Sequence, residues 1–400
     1  MREEVNEIGT SEVSAHQPEN SAEFPAAERR IQTHLLGRVF DDTTTSYKLF
    51  WFKALLETLK LRWSSKPGVV YEPILVSDLV LEMVVAAWHP VCFFRLSLGV
   101  TDKLQNACET LQKRLALAPN TKRQQVRNII AATPEILEHL WNLGTYVPAL
   151  FLTPWFSREM RGIGAGAARV KRAMQLARER RDRQEAPPYW LDGKGRNVLL
   201  RIDRRWGDFL YGNLGMLEAF SDRHLAHYLQ ARNPNSPGII HKLREPPSPQ
   251  LLRARRFWKC VREVFILHGI SAFFQDIYKA EPLDADFSID HFLPWSFVAH
   301  DQLWNLAPVF PSTNSRKSDR LPDPDLYLPR LAKLHWHALR TINDRPRFYD
   351  DYISCFKLPS VALLEGNAAR LLDLYRTIVI PQIDLAQNQG FEVGWRLKIA

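Results

Sequence analysis

From Thr45 onward the chain becomes apolar at helical spacing. Tyr47, Leu49, Phe50, Trp51, Phe52, Ala54, Leu55, Leu56 and Leu59 cover most of a helix circumference. Lys53, Glu57 and Lys60 are left as the one wet stripe, so this helix is expected to lie deep in a core. A polar turn over residues 64–68 ends it. Ser77, followed by Asp78, reads as the N-cap of a second helix from Leu79 to Trp88 that stops before Pro90. The most hydrophobic region, Leu79 to Val100, is interrupted by Glu82, His89, Pro90 and Arg95. It reads as buried core and not as a membrane span.

The pattern continues as helices from Asp102 to Leu117, from Thr121 to Ile130, and from Pro134 to about Gly144. Phe151 to Glu159 is an aromatic loop, Ala186-Pro187-Pro188 a boundary, Asn197 to Ile202 a short strand, and Trp206 to Gln230 a helix. Residues 233–238 form a dense turn and residues 245–249 a Pro-rich linker. Helices are then expected from Leu251 to His268, Leu328 to Ile342, Arg347 to Cys355 and Leu363 to Ala386. No internal repeat or coiled-coil heptad is present.

This pattern divides the chain into a disordered tail (1–30), a helical body that positions nucleic acid (31–250), a compact late region (251–325) and C-terminal helices that pack back on the body (326–400). The composition is globular, with 46% hydrophobic and 24% charged residues over 400 positions, enough apolar material for a substantial core. Charge sharpens the picture. A formal net charge of +9 favours nucleic acid as partner before any other anionic surface. Cys92, Cys108, Cys260 and Cys355 are scattered with no CxxC pair. That argues against a structural zinc knuckle and fits a reducing, cytoplasmic compartment. The acidic start MREEVNEIGT has no apolar run of the signal-peptide kind.

Much of the basic charge falls in one helix, Arg169 to Arg183. Arg169, Lys171, Arg172, Arg178 and Arg181 surround a thin apolar stripe. A charge run is usually a solvated face, but one of nearly a single sign suits contact with a phosphate backbone. The preceding Gly162-Ile163-Gly164-Ala165-Gly166-Ala167 matches G-x-G-x-x-A. It lacks the strand that a dinucleotide site needs, so no nucleotide cofactor is expected. Trp206 and Trp258, beside arginines, read as core aromatics more readily than as base-stacking platforms. His335 and His337 lack further ligands nearby and read as core or surface histidines.

The stretch FSIDHFLPWSFVAHDQLWNLAPVFPSTNSRKSDRLP, residues 287–322, carries the chemistry. Asp290 offers hard oxygen to a divalent cation. His291 alternates to the other side of a strand, where it serves as a base beside the metal without ligating it. Asn305, fourteen positions on, either holds a loop through backbone bonds or orients His291. Ser312 reads as the N-cap of a short helix from Asn314 to Asp319. In that helix the Asn314 amide oxygen and the Lys317 ammonium share one face, with Asn314 on the metal, Lys317 toward phosphate and Arg316 nearby. His300 and Asp301 read as structural residues of the intervening loop, or as a second general acid.

These residues resemble the ββα-metal finger of HNH endonucleases. In that family a His, often preceded by Asp, is the general base, a central Asn supports the loop, and a third His or Asn with a following N-x-x-K completes the site. The resemblance implies roles for Asp290, His291, Asn305, Asn314 and Lys317. The zinc-knuckle cysteines of many relatives are absent, so Phe292, Trp295, Phe297 and Trp304 must order the finger by packing. TTSYKLFWFKALLETLK, LQARNPNSPGIIHKL and IDLAQNQGFEVGWR are further similar to bacterial HNH-domain proteins with a helical body. The expected protein is α+β, predominantly α-helical with a late ββα-metal finger. It would hydrolyse DNA, double-stranded before RNA, with one Mg²⁺ or Mn²⁺ and without a membrane. The resemblance also implies a phage- or mobile-element-defence setting with a protein partner from that system. The alternatives are a nucleic-acid-binding or assembly protein whose finger is silent alone, and an RNA-directed nuclease.

Overall fold

The structure is a computed structural model that describes residues 31–65, 71–247, 250–342, 346–359 and 366–398. The expected N-terminal tail, residues 1–30, lies outside the described residues, as do part of the turn after the first long helix and part of the Pro-rich linker. Among the described residues helix dominates, and strands are confined to two small antiparallel sheets. The first sheet has the order β1 (Ile74–Leu75), β3 (Leu199–Ile202), β2 (Tyr189–Asp192). The second pairs β4 (Ser288–His291) with β5 (Leu306–Val309). The buried apolar side chains form two clusters, one drawn from residues 31–243 and the other from residues 254–395.

The first core is built around the helix Tyr47–Ser65, whose Phe50, Trp51, Phe52 and Leu59 are fully buried. Part of its polar stripe is drier than its spacing suggests. Lys53 pairs with the buried Asp222, and Lys60 meets Glu218 at 2.9 Å, both on the helix Leu214–Arg232. The Lys53–Asp222 pair closes the inner part of that stripe, while Lys60 stays exposed at its outer end. Asp102 joins two helix starts. Its carboxylate accepts from Leu104 N at 2.9 Å as an N-cap and from Ser46 Oγ at 2.7 Å.

Several boundaries differ from the sequence reading, three of them in the body with a clear physical cause. The second helix is Val76–Trp88 and its cap is Leu75, not Ser77. Leu75 is held extended because it pairs with Leu199 in the sheet, so the helix springs directly from β1. Pro90 does not end this helix; a π-helical turn, His89–Phe93, carries it on. The N–H that proline lacks would have served the Ala86 carbonyl four residues back, and Arg123 Nη2 donates to that oxygen instead at 3.2 Å. The stretch Val76–Phe93 is long and apolar enough to cross a membrane, but 83% of it is buried inside the protein, so it packs as a core helix. Finally, Trp206 to Gln230 is not one helix. Arg204–Gly212 and Leu214–Arg232 meet at Asn213, whose side-chain amide and backbone N–H both donate to Phe209 O and so cap the first helix.

The second core gathers the helices Leu252–Leu267, Pro324–Thr341, Asp350–Phe356 and Ala368–Asn388 around the β4–β5 pair. Where the two cores meet, Lys242 is fully buried and donates to Ser236 Oγ at 2.8 Å and Phe297 O at 2.5 Å. No carboxylate pairs with it among the described residues, and burial pushes its ammonium down to about 7. An unfolded chain holds that proton up to the ordinary lysine range near 10.5, whereas the folded chain releases it near 7. Between those limits the unfolded state binds more protons, so stability rises with pH, by at most about 1.4 kcal/mol per pH unit. Urea titrations between neutral and mildly alkaline pH should show that rise, and Lys242→Met should flatten it.

Candidate active site

β4 and β5 are in antiparallel register, with Asp290 opposite Ala307 and His291 opposite Leu306. β4 ends at His291, so Asp290 and His291 direct successive side chains to opposite sides of the pair. The third element is the helix Pro311–Lys317. It starts earlier than expected, and Ser312 is not its cap. Phe310 occupies that position with Pro311 at the first helical residue, where a missing N–H costs nothing. The helix also stops sooner, because Ser318 adopts a positive φ of 54° and leaves Asp319 outside. The three elements make a ββα finger.

Asn314 and Lys317 both face β4. Asn314 Nδ2 donates to Ser288 Oγ at 3.1 Å and to Ile289 O at 3.3 Å. Its amide oxygen takes no hydrogen bond among the described residues, and the side chain is half-buried. Lys317 is placed differently from the sequence reading, which turned it toward phosphate. Its ammonium is fully buried, 3.1 Å from Asp290 Oδ1 and 2.6 Å from the His291 carbonyl oxygen. An i,i+3 partner of Asn314 must face the same strand, and a four-carbon stem reaches the carboxylate from there. Lys317 thus holds Asp290 and the backbone of His291 in place.

Asp290 is 3% exposed, and its second oxygen accepts from Tyr278 Oη at 2.7 Å. Burial, reinforced by the facing carboxylate, raises the Tyr278 hydroxyl well above its ordinary range, so it stays a donor. Each Asp290 oxygen therefore has one hydrogen bond and keeps lone-pair capacity.

The His291 ring meets Asp301, with Nε2 2.8 Å from Oδ1. Asp301 Oδ2 accepts from the backbone N–H of Gln250 at 2.7 Å. Burial works to raise the Asp301 carboxyl, but the bonds from His291 and Gln250 outweigh it and hold the group below the usual carboxylate range. An ionised partner fixes the proton on Nε2 and leaves Nδ1 as the basic nitrogen. Burial, then the neighbouring His291, push His300 down to about 4.

Of the two readings open for Asn305, the structure contains the loop clasp. Asn305 Oδ1 accepts from Leu293 N at 2.8 Å and Nδ2 donates to Leu293 O at 2.9 Å, while Asn305 O accepts from Phe292 N at 2.8 Å. These three bonds close the loop behind His291, and the ring itself is oriented by Asp301.

The finger is ordered without cysteines. Phe292, Phe297 and Trp304 are buried in the second core, while Trp295 packs against Phe93 and Phe94 of the first. A further clamp is Asp276, fully buried, whose carboxylate accepts from the N–H groups of Tyr278 at 2.7 Å, Lys279 at 3.1 Å and Phe310 at 2.9 Å. It ties the turn that carries Tyr278 to the start of the finger helix. Asp276 and Tyr278 were missed in the sequence, since each lies more than ten positions upstream of Asp290 with no motif to mark it.

Other candidate residues fall elsewhere. The basic helix is shorter than expected, Ala167–Glu179, and its apolar stripe belongs to the first core. Arg169 donates to Ile163 O at 2.9 Å and Arg178 to Leu191 O at 2.7 Å, so both brace the body rather than reach freely outward. Arg181 meets Asp182, whereas Lys171 is exposed and Arg172 half-buried, neither with a partner among the described residues. Arg316, on the finger helix, is exposed and donates to Lys398 O at 2.7 Å. Trp206 and Trp258 are fully buried and bond Ala186 O and Leu306 O, which excludes base stacking. His335 is a core histidine bonded to Tyr352 Oη at 2.6 Å.

The fold and site define a ββα finger with a histidine and an acidic-plus-amide oxygen pair at its centre. A family model described as HNH endonuclease matches residues 272–323, so this segment is similar to that family. The match opens at the turn that carries Asp276 and Tyr278 and closes just past the finger helix. No curated protein and no solved structure matches the chain.

Proposed function

We propose that the protein is a divalent-metal-dependent endonuclease that hydrolyses DNA phosphodiester bonds with His291 as general base. The observation that carries this reading is the His291–Asp301 pair at 2.8 Å, set beside Asp290 in a finger of nuclease family. With Nε2–H committed to Asp301, Nδ1 is available to take a proton from an attacking water. Asn305 keeps the loop after His291 closed, and Lys317 keeps Asp290 turned into the site. Phosphodiester hydrolysis leaves a negative oxygen to be stabilised.

The donor set fits a hydrated divalent cation. Asp290 retains lone-pair capacity on both oxygens, and the Asn314 amide oxygen has no hydrogen-bonded partner among the described residues. Two hard oxygens suit Mg²⁺ or Mn²⁺, which keeps several waters of its own. Asp290 and Asn314 would hold it. When bound, such an ion supplies Lewis-acid polarisation of the phosphate and stabilisation of the leaving oxygen. A phage- or mobile-element-defence setting is the biological context we propose.

Purified protein mixed with supercoiled plasmid and Mg²⁺ or Mn²⁺ should nick or linearise it, and a chelator should stop the reaction. Single-stranded DNA and RNA run in parallel decide the substrate. RNA cut in preference to DNA overturns the DNA assignment, and no cleavage of any of the three overturns the enzyme reading.

A further inference from the structure

The finger helix has a second face. Beside Asn314, Ser315 and Arg316 turn to a groove of about 730 Å³ whose other wall is the C-terminal segment. Arg316, Arg320, Arg396 and Lys398 line it, with Glu392 as the only acidic side chain in the lining and Trp395 beneath. Arg396 pairs with Asp323 at 2.7 Å. The other three cations have no carboxylate partner among the described residues. Arg316 donates to Lys398 O at 2.7 Å and Arg320 to Lys317 O at 3.2 Å and to Arg316 O, so carbonyls aim these guanidinium groups without neutralising them. Arg320 also lies over the Trp395 ring at 5.8 Å.

The wall is fixed in place. Leu321 N donates to Glu392 O at 2.8 Å, Trp395 N to Leu321 O at 2.9 Å and Asp323 N to Trp395 O at 3.0 Å, a short ladder between the finger's exit and the C-terminal segment. From the body, Arg95 pairs with Asp319 at 2.7 Å and lies 4.2 Å over Phe391. Charges held on a rigid wall lose little freedom when a phosphate arrives.

We propose that this groove seats the phosphodiester backbone of the nucleic acid next to the bond being cut. The inference rests on the nuclease reading and extends it to a surface outside the finger's own catalytic residues. Arg316 lies two residues from Asn314 on one helix, so the groove is within about one helix diameter, ~10 Å, of the site. A strand advances about 3.4 Å per nucleotide, which puts the seated phosphate roughly one to three nucleotides from the scissile one. Such contacts fix register without reading sequence.

The test is binding, measured apart from cleavage. His291→Ala protein is titrated into a fluorescein-labelled duplex of about 20 base pairs, two helical turns, over a series of salt concentrations. Adding Arg320→Ala, Arg396→Ala and Lys398→Ala together should raise Kd about tenfold or more and flatten the log Kd against log salt slope by about two to three. Lys398→Glu alone, at an exposed side chain with no bond of its own, should weaken binding in the same direction. Lys171→Ala with Arg172→Ala serves as the comparator on the body. Kd and slope unchanged within about twofold, in variants that melt like the parent, overturn the proposal. If the unmutated protein cuts nucleic acid while the groove variants bind normally, the groove falls and the nuclease reading stands. If nothing is cut but the groove variants still lose binding, the groove stands only as a backbone-binding site and the nuclease reading falls.

Discussion

Lys317→Ala is expected to lower the stability of the second core by about 3–5 kcal/mol, the range for removing one partner of a buried ion pair. Lys317 is completely buried, and its ammonium serves both Asp290 Oδ1 and the His291 carbonyl. Removing it leaves a carboxylate at 3% exposure with Tyr278 as its remaining donor. Urea denaturation measures the effect. The double variant Lys317→Met with Asp290→Asn removes the stranded charge and fills the space, so it should recover most of the stability while remaining inactive. A lysine facing substrate phosphate would behave in the opposite way. Its loss would cost rate and leave stability within about 0.5 kcal/mol, as surface substitutions do.

Asp301→Asn is expected to reduce single-turnover cleavage by roughly 10²–10⁴-fold, the scale seen when a histidine base is forced into the wrong tautomer. The asparagine amide presents a donor to Nε2, which moves the ring proton to Nδ1 and removes the lone pair that the proposed general base needs. Asp301→Ala, which imposes no tautomer, should be less harmful. Nitrogen NMR of the His291 ring reads the cause directly: Nε2–H in the wild type and Nδ1–H in Asp301→Asn. An unchanged tautomer with lost activity would instead assign Asp301 to loop structure.

Much of the finger was readable from residue types and spacing. Asp290, His291, Asn305, Asn314 and Lys317 lie between strand-like and helix-starting stretches, and the ββα order follows from them. What spacing does not convey is which partner a side chain meets. Asn314 and Lys317 were placed on one face, but only the fold reveals that this face is β4, which buries Lys317 instead of exposing it. Asp301 was visible as a nearby acid, yet its bond to His291 depends on the short helix Trp295–Val298 and the left-handed turn at Ala299 that bring the loop back. Tyr278 and Asp276 carried no signal because their role depends on a turn far upstream. In the body, Pro187-Pro188 hid β2, whose Tyr189 is fully buried and bonded to Trp51 and to Pro148 O. Proline before a strand reads as a break, and only the neighbour β3 reveals the pairing.

The central claim is that His291 removes the proton from water in a metal-supported hydrolysis. The direct measurement is single-turnover cleavage of plasmid DNA by the wild type and by His291→Ala, with Mg²⁺ present and after chelation. The wild type should cleave with metal only, and His291→Ala should show no cleavage above background. Cleavage by His291→Ala at the wild-type rate would contradict that role for His291.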